Sequence, residues 1–526
     1  MLSIAIFVLH FLLAGVRYAY AHYEDGGPFS FDPKAADYNN QFISHQAPIL
    51  VLENVRVIDG TGNAPEEAQT IVIEDGKITA LGATGSIPVP EDAKVISAAG
   101  KTVLPGYVMH HEHLYYHSLS QVPGMPYLAT PSMVTVPRLY LSVGVTTARS
   151  IGTYHPFDDL KLKEGIDKDI LLGPDLFLTA PFIQGDPEYY QLMPEINSAE
   201  AAKREVRYWA ERGFHNFKTY VDISRSEIRA AAEEAHLHGK NISSHLCSVS
   251  ILEALDAGID EIEHGFQSIA VDILRLHEGE EVGFQANSTI GRDTSLGEQF
   301  VMTAGMDFKQ DRRQCRFDIL FGPLMMDLDV DSAEVHYIFQ RVIEKGAVVD
   351  STLGGLARLM PNSILPPIND EAKSFYTPQR LAQWEHEIEK THSKAGDLTI
   401  FLQKLMELDY KFWKAGGNLV LGSDAVALAG AVPGSTNLES LELLFMAGIP
   451  PLEVIKIATL NGARALDLFD RGTVAEGQRA DLILLNGNAV EDFKAIYEID
   501  TVFKKGIGYS SARLQESVRG TIGIIN

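Results

Sequence analysis

Six residues spread over more than half of the chain, His111, His113, Lys218, His245, His264 and Asp424, belong to the types that gather around a divalent metal. The first two are the most informative. In "LPGYVMHHEHL", His111 and His113 lie two apart on a segment that reads as extended, so both rings leave one face of a strand and can share an ion. In "GFHNFKTYV", Lys218 interrupts an apolar strand pattern, where an ammonium is costly to bury unless it is paired, chemically altered or snorkels to the strand end. His245 in "NISSHLCS", His264 in "DEIEHGF" and Asp424 in "NLVLGSDAV" each follow a short β-favouring run. A His-x-His pair alone is a weak signal. Ligand-type residues at one strand end after another are the pattern of a (β/α)8 barrel, which keeps its chemistry at the C-terminal ends of its strands.

Such a barrel needs eight strands, and eight segments supply them: "LPGYVMHHEHL", "GVTTARSI", "DLFLTAP", "HNFKTYV", "NISSHL", "EIEHG", "AVVDSTL" and "NLVLGSDA". Helix signals alternate with them. Ser224 and Glu227 form a capping box that opens "RSEIRAAAEEAHLHG", and Gly239 closes it. The barrel spans 105–468. Ahead of it, "ILVLENVRVID" and "TIVIEDGKITAL" alternate in the manner of strands, with Asp75-Gly76 as a two-residue hairpin turn. Partner strands lie at the far end, in "ADLILLNG" and "EIDTVFKKG". The expected fold is therefore α/β, a barrel inserted between the halves, 48–104 and 469–526, of a small β-sandwich. From His264 to the seventh strand runs about 80 residues, where a helix and two loops use roughly 20 to 30. An insertion at about 270–345 is expected there, as part of the substrate pocket or as a surface excursion.

The chain has 526 residues, 45% of them hydrophobic and 22% charged, enough for a large core. Its formal charge of −26, from 44 basic and 70 acidic residues, makes nucleic acid an improbable partner. Residues 1–21 read as a secretory signal cut after Ala21, which places the protein in a secreted or periplasmic setting without stable membrane association; 22–47 reads as a polar linker. An uncleaved anchor is the alternative. Cys247 and Cys315 are too few for a disulfide framework, and Cys247 reads as a buried thiol rather than a ligand. Asn241 and Asn287 have the form of glycosylation sequons.

These residues, together with "VLENVRVIDGTG", "GKTVLPGYV", "IATLNGARALDL" and "GTVAEGQRADLILLNG", resemble the amidohydrolase superfamily over nearly the whole mature chain. The likeness is to its two-metal branch with a carboxylated lysine, near the imidazolonepropionase and Xaa-Pro dipeptidase-like members. One departure is Met109, where the family usually has aspartate; it bears on the tuning of the site rather than on metal binding. The resemblance implies that His111, His113 and Asp424 hold the more buried of two divalent metals and that His245 and His264 hold the other. A carbamate on Lys218 would bridge them. It implies a bridging hydroxide as nucleophile, with Asp424 taking its proton and passing it to the leaving nitrogen. Zinc fits these ligands best, and manganese or iron also fit. A one-metal deaminase is disfavoured, because Ser248 stands where those enzymes keep a glutamate and because they lack the lysine.

The substrate is less legible. Tyr220, two after Lys218, faces the same way and could hold a carbonyl or oxyanion. Arg149 and Arg358, just past the second and seventh strands, could grip a substrate carboxylate; His155 and His117 are further candidates. The expected activity is hydrolysis of amide bonds in a small molecule, such as a dipeptide, an N-acyl amino acid or a cyclic amide. Lactone or carbamate hydrolysis on the same site is an alternative, and a catalytically silent metal-binding scaffold is another. A homo-oligomer is a mild expectation.

Overall fold

A computed structural model describes residues 35–119, 127–185, 193–278, 315, 323–360, 362–395, 398–426 and 430–523. Each of the eight segments singled out above forms a strand: β1 (Tyr107–Glu112), β2 (Val145–Ser150), β3 (Asp175–Phe177), β4 (Asn216–Thr219), β5 (Asn241–Ser244), β6 (Glu261–Ile262), β7 (Val348–Ser351) and β8 (Asn418–Leu421). All pair in parallel, β1 to β3 in one sheet and β4 to β8 in another. Just beyond β3, a parallel bridge from Thr179 to Asn216 joins the two sheets. At the other edge, the Ser423 and Asp424 N–H groups donate to His111 O at 3.2 and 2.9 Å. This contact depends on Gly422, because a Cβ there would lie 2.1 Å from that of His111.

Helices between the strands pack over them in one continuous apolar core that includes Ile242, Ile262, Val349, Leu419 and Leu421. Their starts are well specified: Ser224 with Glu227, and Ser250 with Glu253, form complete capping boxes ahead of Arg225–Leu237 and Ile251–Ala257. Gly239, just beyond the first helix, has φ of 64°. Among the described residues, no helix is long and apolar enough to cross a membrane.

Strands from both ends of the chain share one nine-stranded sheet, in which Thr102–Pro105 joins Leu482–Leu485. Asp75 and Gly76, with φ of 48° and 74°, turn the hairpin between Glu66–Glu74 and Lys77–Ala83. Ile43–His45, assigned above to the linker, adds an edge strand against Ile507–Ser510.

The cysteine reading is corrected. Cys247 and Cys315 form a disulfide with their Cα atoms 5.1 Å apart. A separation of 68 residues gave no hint of this pairing, because the chain's return to the β5 end is a tertiary event. Residues 279–314 and 316–322, which hold most of the expected insertion and Asn287, lie outside the described residues, as do the signal segment and the first half of the linker. The part of 323–345 that is described includes a helix at Ala333–Lys345 packed on the core.

Asp409, behind β7, yields a pH prediction. Its buried carboxylate accepts the Ser351 hydroxyl at 2.6 Å, and burial pushes its pKa up to about 7. Below pH 4 the folded and unfolded chains both carry the proton. Between about pH 4 and 7 only the unfolded chain releases it, so stability falls as pH rises. Asp409→Asn is expected to gain stability over the wild type, by on the order of 2 kcal/mol more at pH 8 than at pH 5. Urea midpoints at the two pH values check this, and a gain that does not depend on pH would refute it.

Candidate metal centre

The ends of β1, β4, β5, β6 and β8 bring the six expected residues together. Asp424 Oδ1 lies 3.0 Å from His113 Nε2 and 3.6 Å from His111 Nε2, and its Oδ2 lies 3.7 Å from His264 Nδ1. Lys218 Nζ is 3.4 Å from His111 Nε2. The His264 ring centroid is 4.6 Å from that of His111 and 4.1 Å from that of His245. His111, His264 and Asp424 offer ligand atoms within 4.8 Å of one another.

Two of these residues have left-handed backbones, His264 at φ 63° and Asp424 at 53°. For side chains of this size such φ values cost of order 1–3 kcal/mol and persist only where the surroundings enforce them. At β6 the turn lets consecutive residues, Glu263 and His264, both reach the site. At β8 the neighbouring Ser423 is clamped by Glu112, whose Oε1 accepts the Ser423 N–H at 3.1 Å and the Asn437 side-chain N–H at 2.8 Å. Glu112 Oε2 accepts the Ser423 hydroxyl. Burial pushes the Glu112 carboxyl up to about 8, against the pull of these donors.

The donors fit a bound divalent metal. His113 Nδ1, His245 Nε2 and His264 Nε2 are buried nitrogens with no hydrogen-bond partner, an arrangement that costs free energy unless an ion takes the lone pairs. His264 Nδ1 meets Thr352 Oγ1 at 2.9 Å. Burial, reinforced by Lys218, lowers the His111 imidazole to about 4 and the His245 imidazole to about 3, so both are neutral and able to ligate. Burial also lowers Lys218. For Asp424, burial alone would favour the neutral acid, but His111, His113 and Lys218 together hold it below the usual carboxylate range.

Beneath this set lies a charged layer that reading the chain missed. His111 Nδ1 meets Glu263 Oε2 at 2.7 Å and Asp350 Oδ2 at 2.9 Å, which directs its Nε2 towards Lys218 and Asp424. Arg149 donates from Nη1 and Nη2 to Glu261, both at 2.6 Å, from Nη2 to Glu263 at 3.0 Å, and from Nε to His110 O at 2.8 Å. A signal was present for one of them: Asp350 is an acid inside the apolar run "AVVDSTL", as Lys218 is a base inside one.

Arg149 is therefore not at hand for a substrate. It is 2% exposed and committed to two carboxylates, which corrects the expectation above. Arg358 is likewise engaged, with Nε on Glu439 at 2.8 Å, Nη2 on the same carboxylate and Nη1 on Pro366 O at 2.7 Å. His155 Nε2 meets Ala129 O at 3.0 Å and ties down a loop. Tyr220 does stand beside the site, its ring 5.0 Å from that of His245. His117 lies half-buried at the flank, its imidazole lowered to about 3, chiefly by desolvation. Arg149→Met is expected to cost about 3–5 kcal/mol, the usual penalty for stranding buried charge, in a urea titration. A loss under about 1 kcal/mol would mean the network is not stabilising.

The amidohydrolase family profile matches residues 409–507. An enamidase of Eubacterium barkeri is 34% identical over 231 residues, which take in 40% of this chain and 53% of that enzyme, so the match spans about half of the relative's length. Among solved structures, a Xaa-Pro dipeptidase with bound methionine in the active site superposes with a TM-score of 0.58 at 19% identity, covering 88% of this chain and 100% of that one. A bottromycin amidohydrolase gives 0.62 at 16% identity, covering 94% of each chain. At such identities these likenesses establish the fold. The chain is similar to the amidohydrolase family in sequence over part of its length and in fold over most of it.

Proposed function

We propose that this protein is an exported, metal-dependent hydrolase of amide-type C–N bonds in small molecules, with dipeptides, N-acyl amino acids and cyclic amides as the substrate classes. The observation that carries the reading is the Asp424 carboxylate, 3.0 Å from His113 Nε2 and beside three buried histidine nitrogens that lack partners. His111, His113 and Asp424 would hold one ion and His245 and His264 the other, with Lys218 between them as a carbamate. Zinc suits this mixed imidazole and carboxylate set, and manganese or iron suit it as well. Bound there, such ions acidify water and polarise a scissile carbonyl. Asp424 supplies the proton relay, as base towards the water and then as acid towards the leaving nitrogen. Tyr220 is positioned to steady the carbonyl oxygen.

The backbone bonds from Ser423 and Asp424 to His111 O support a closed eight-stranded barrel over 105–468, inserted between the two parts, 48–104 and 469–526, of a β-sandwich domain. The enamidase and the Xaa-Pro dipeptidase support C–N hydrolysis by analogy. A deaminase is disfavoured, because the Ser248 hydroxyl donates to Ile223 O at 2.7 Å and is not free to shuttle protons. Export is supported by the Cys247–Cys315 disulfide, which suits an oxidising compartment. N-terminal sequencing of the protein recovered from its host should begin at His22, and an intact Met1 would overturn the cleaved leader.

The deciding experiment is turnover of a mixed library of dipeptides, N-acyl amino acids, lactones and cyclic amides. It uses zinc-loaded protein with bicarbonate and an Asp424→Asn control. Cleavage of C–N bonds by the wild type alone is the expected result. Folded, metal-loaded protein that turns over only lactones, or nothing at all, would sink the proposal.

A further inference from the structure

Four aromatic side chains, of which the reaction described above uses only Tyr220, form an unbroken arc beside the metal centre. The His113 ring meets Tyr115 with centroids 4.9 Å apart, and Tyr115 meets Tyr154 at 5.2 Å. Tyr154 meets Phe182 at 5.3 Å, Phe182 meets Tyr220 at 5.2 Å, and Tyr220 meets His245 at 5.0 Å. The arc starts on one expected ligand and ends on another. Every link is edge-on or tilted, as aromatic pairs prefer.

Sheet pairing holds these rings in place. Tyr154 follows Thr153, which bridges Pro181 in parallel, and Phe182 follows Pro181. Tyr220 follows Thr219, which bridges Ile183, and the Tyr220 N–H donates to Ile183 O at 2.9 Å. Tyr115 pairs with Pro131 in an antiparallel hairpin just past β1. All four therefore stand beyond the ends of β1 to β4 on paired backbone, which fixes a side chain better than a loop does. Gly152, with φ of 92°, makes room for one of them: a Cβ there would lie 2.3 Å from Phe182 Cε1.

Core packing alone does not account for the arc. Tyr115 and Phe182 are 2% and 3% exposed, but Tyr154 and Tyr220 are only half-buried, as are His245 and Asp424. The rings thus share the accessible end of the strands with the reacting carboxylate. Two of their faces turn to the centre of the site, since Lys218 Nζ lies over the Phe182 and Tyr220 rings, 5.7 and 5.9 Å from their centroids.

The chemistry of the arc restricts its guest. A cationic group would lie beside the divalent ions that the site would hold, and like charges repel. An anionic group finds no partner on the four rings, and Arg149 and Arg358 are spent on carboxylates. A flat neutral ring gains ring–ring contact here that a saturated group of the same size lacks.

We propose that Tyr115, Tyr154, Phe182 and Tyr220 form the specificity wall of this site and receive a flat, neutral aryl group attached next to the scissile C–N bond. This rests on the hydrolase reading above and names its substrate class as aryl-bearing amides.

The test reads binding and turnover separately. Metal-loaded protein is titrated in a calorimeter with 2-acetylnaphthalene, a neutral aryl ketone with no bond to hydrolyse, and with its saturated decahydro counterpart. The aryl ketone is expected to bind at least about tenfold more tightly, and Tyr154→Leu, at a half-buried ring, to cut that preference to about twofold. Phe182→Leu should do the same; if its melting temperature falls, Tyr154→Leu decides. In turnover, kcat/KM for N-(2-naphthoyl)alanine or for alanine 2-naphthylamide should exceed that of its decahydro counterpart by a similar factor, with the same loss in Tyr154→Leu. Aryl-selective, Tyr154-dependent binding by a protein that cleaves no amide upholds the wall and removes the hydrolase reading. Amide turnover with no aryl preference in binding or in rate, or with a preference that Tyr154→Leu leaves intact, overturns the wall and leaves the hydrolase standing.

Discussion

Asp424→Asn is expected to lower kcat at least about a thousandfold, towards the upper end of what a positioned acid–base group contributes, while KM changes little. The substitution is close to isosteric, so the left-handed backbone at φ 53°, the Glu112 clamp on Ser423 and the packing against Gly355 are all retained. What is lost is a carboxylate that His111, His113 and Lys218 keep ionised despite its burial. An amide in its place accepts no proton and returns none to a leaving nitrogen. Metal content by elemental analysis, measured on the same sample, separates loss of chemistry from loss of the site. A variant that binds metal and folds yet keeps more than about a tenth of the wild-type kcat would show that the proton relay runs through another group.

Much of this centre can be read from the chain because its constraints are local. A buried parallel strand declares itself as a short apolar run, and a ligand-type residue at the end of such a run is conspicuous: "HNFKTYV" around Lys218 and "NLVLGSDA" around Asp424 announce both the strand and the group it carries. The Ser224 capping box and the Asp75-Gly76 turn are legible for the same reason, each being satisfied within a few residues. Partnerships across the fold are not. Arg149 reads as a candidate substrate clamp because nothing near it in sequence answers its charge; its partners Glu261 and Glu263 lie 112 and 114 residues away and meet it only once β2 and β6 face one interior. Cys247 reads as a buried thiol for the same reason: its partner Cys315 lies 68 residues away and meets it only in the tertiary fold. The Met109 departure is informative in hindsight. With methionine buried there, carboxylates from β6 and β7 orient His111 instead.

Lys218 is the residue whose chemistry the fold presses hardest. It is 1% exposed, and the partner of its Nζ is another base, His111 Nε2, at 3.4 Å. Burial lowers its pKa, so the free amine is accessible. A neutral amine adds to carbon dioxide: the N–C bond forms, one proton leaves the nitrogen for solvent, and the product is a carbamate with two hard oxygens in place of a buried cation. Protein stripped of metal and reloaded in carbon-dioxide-free buffer is therefore expected to recover less than about a tenth of its activity, and to regain the rest when bicarbonate is added. Supplied with ¹³C-bicarbonate, the wild type should give a carbon-13 signal in the carbamate region that Lys218→Ala lacks. That variant should bind less metal and gain nothing from bicarbonate, because without the lysine no group in β4 can bridge two ions. Full activity in the absence of carbon dioxide would mean that Lys218 works as an amine or ammonium, and the two-ion assignment would then lose its bridge.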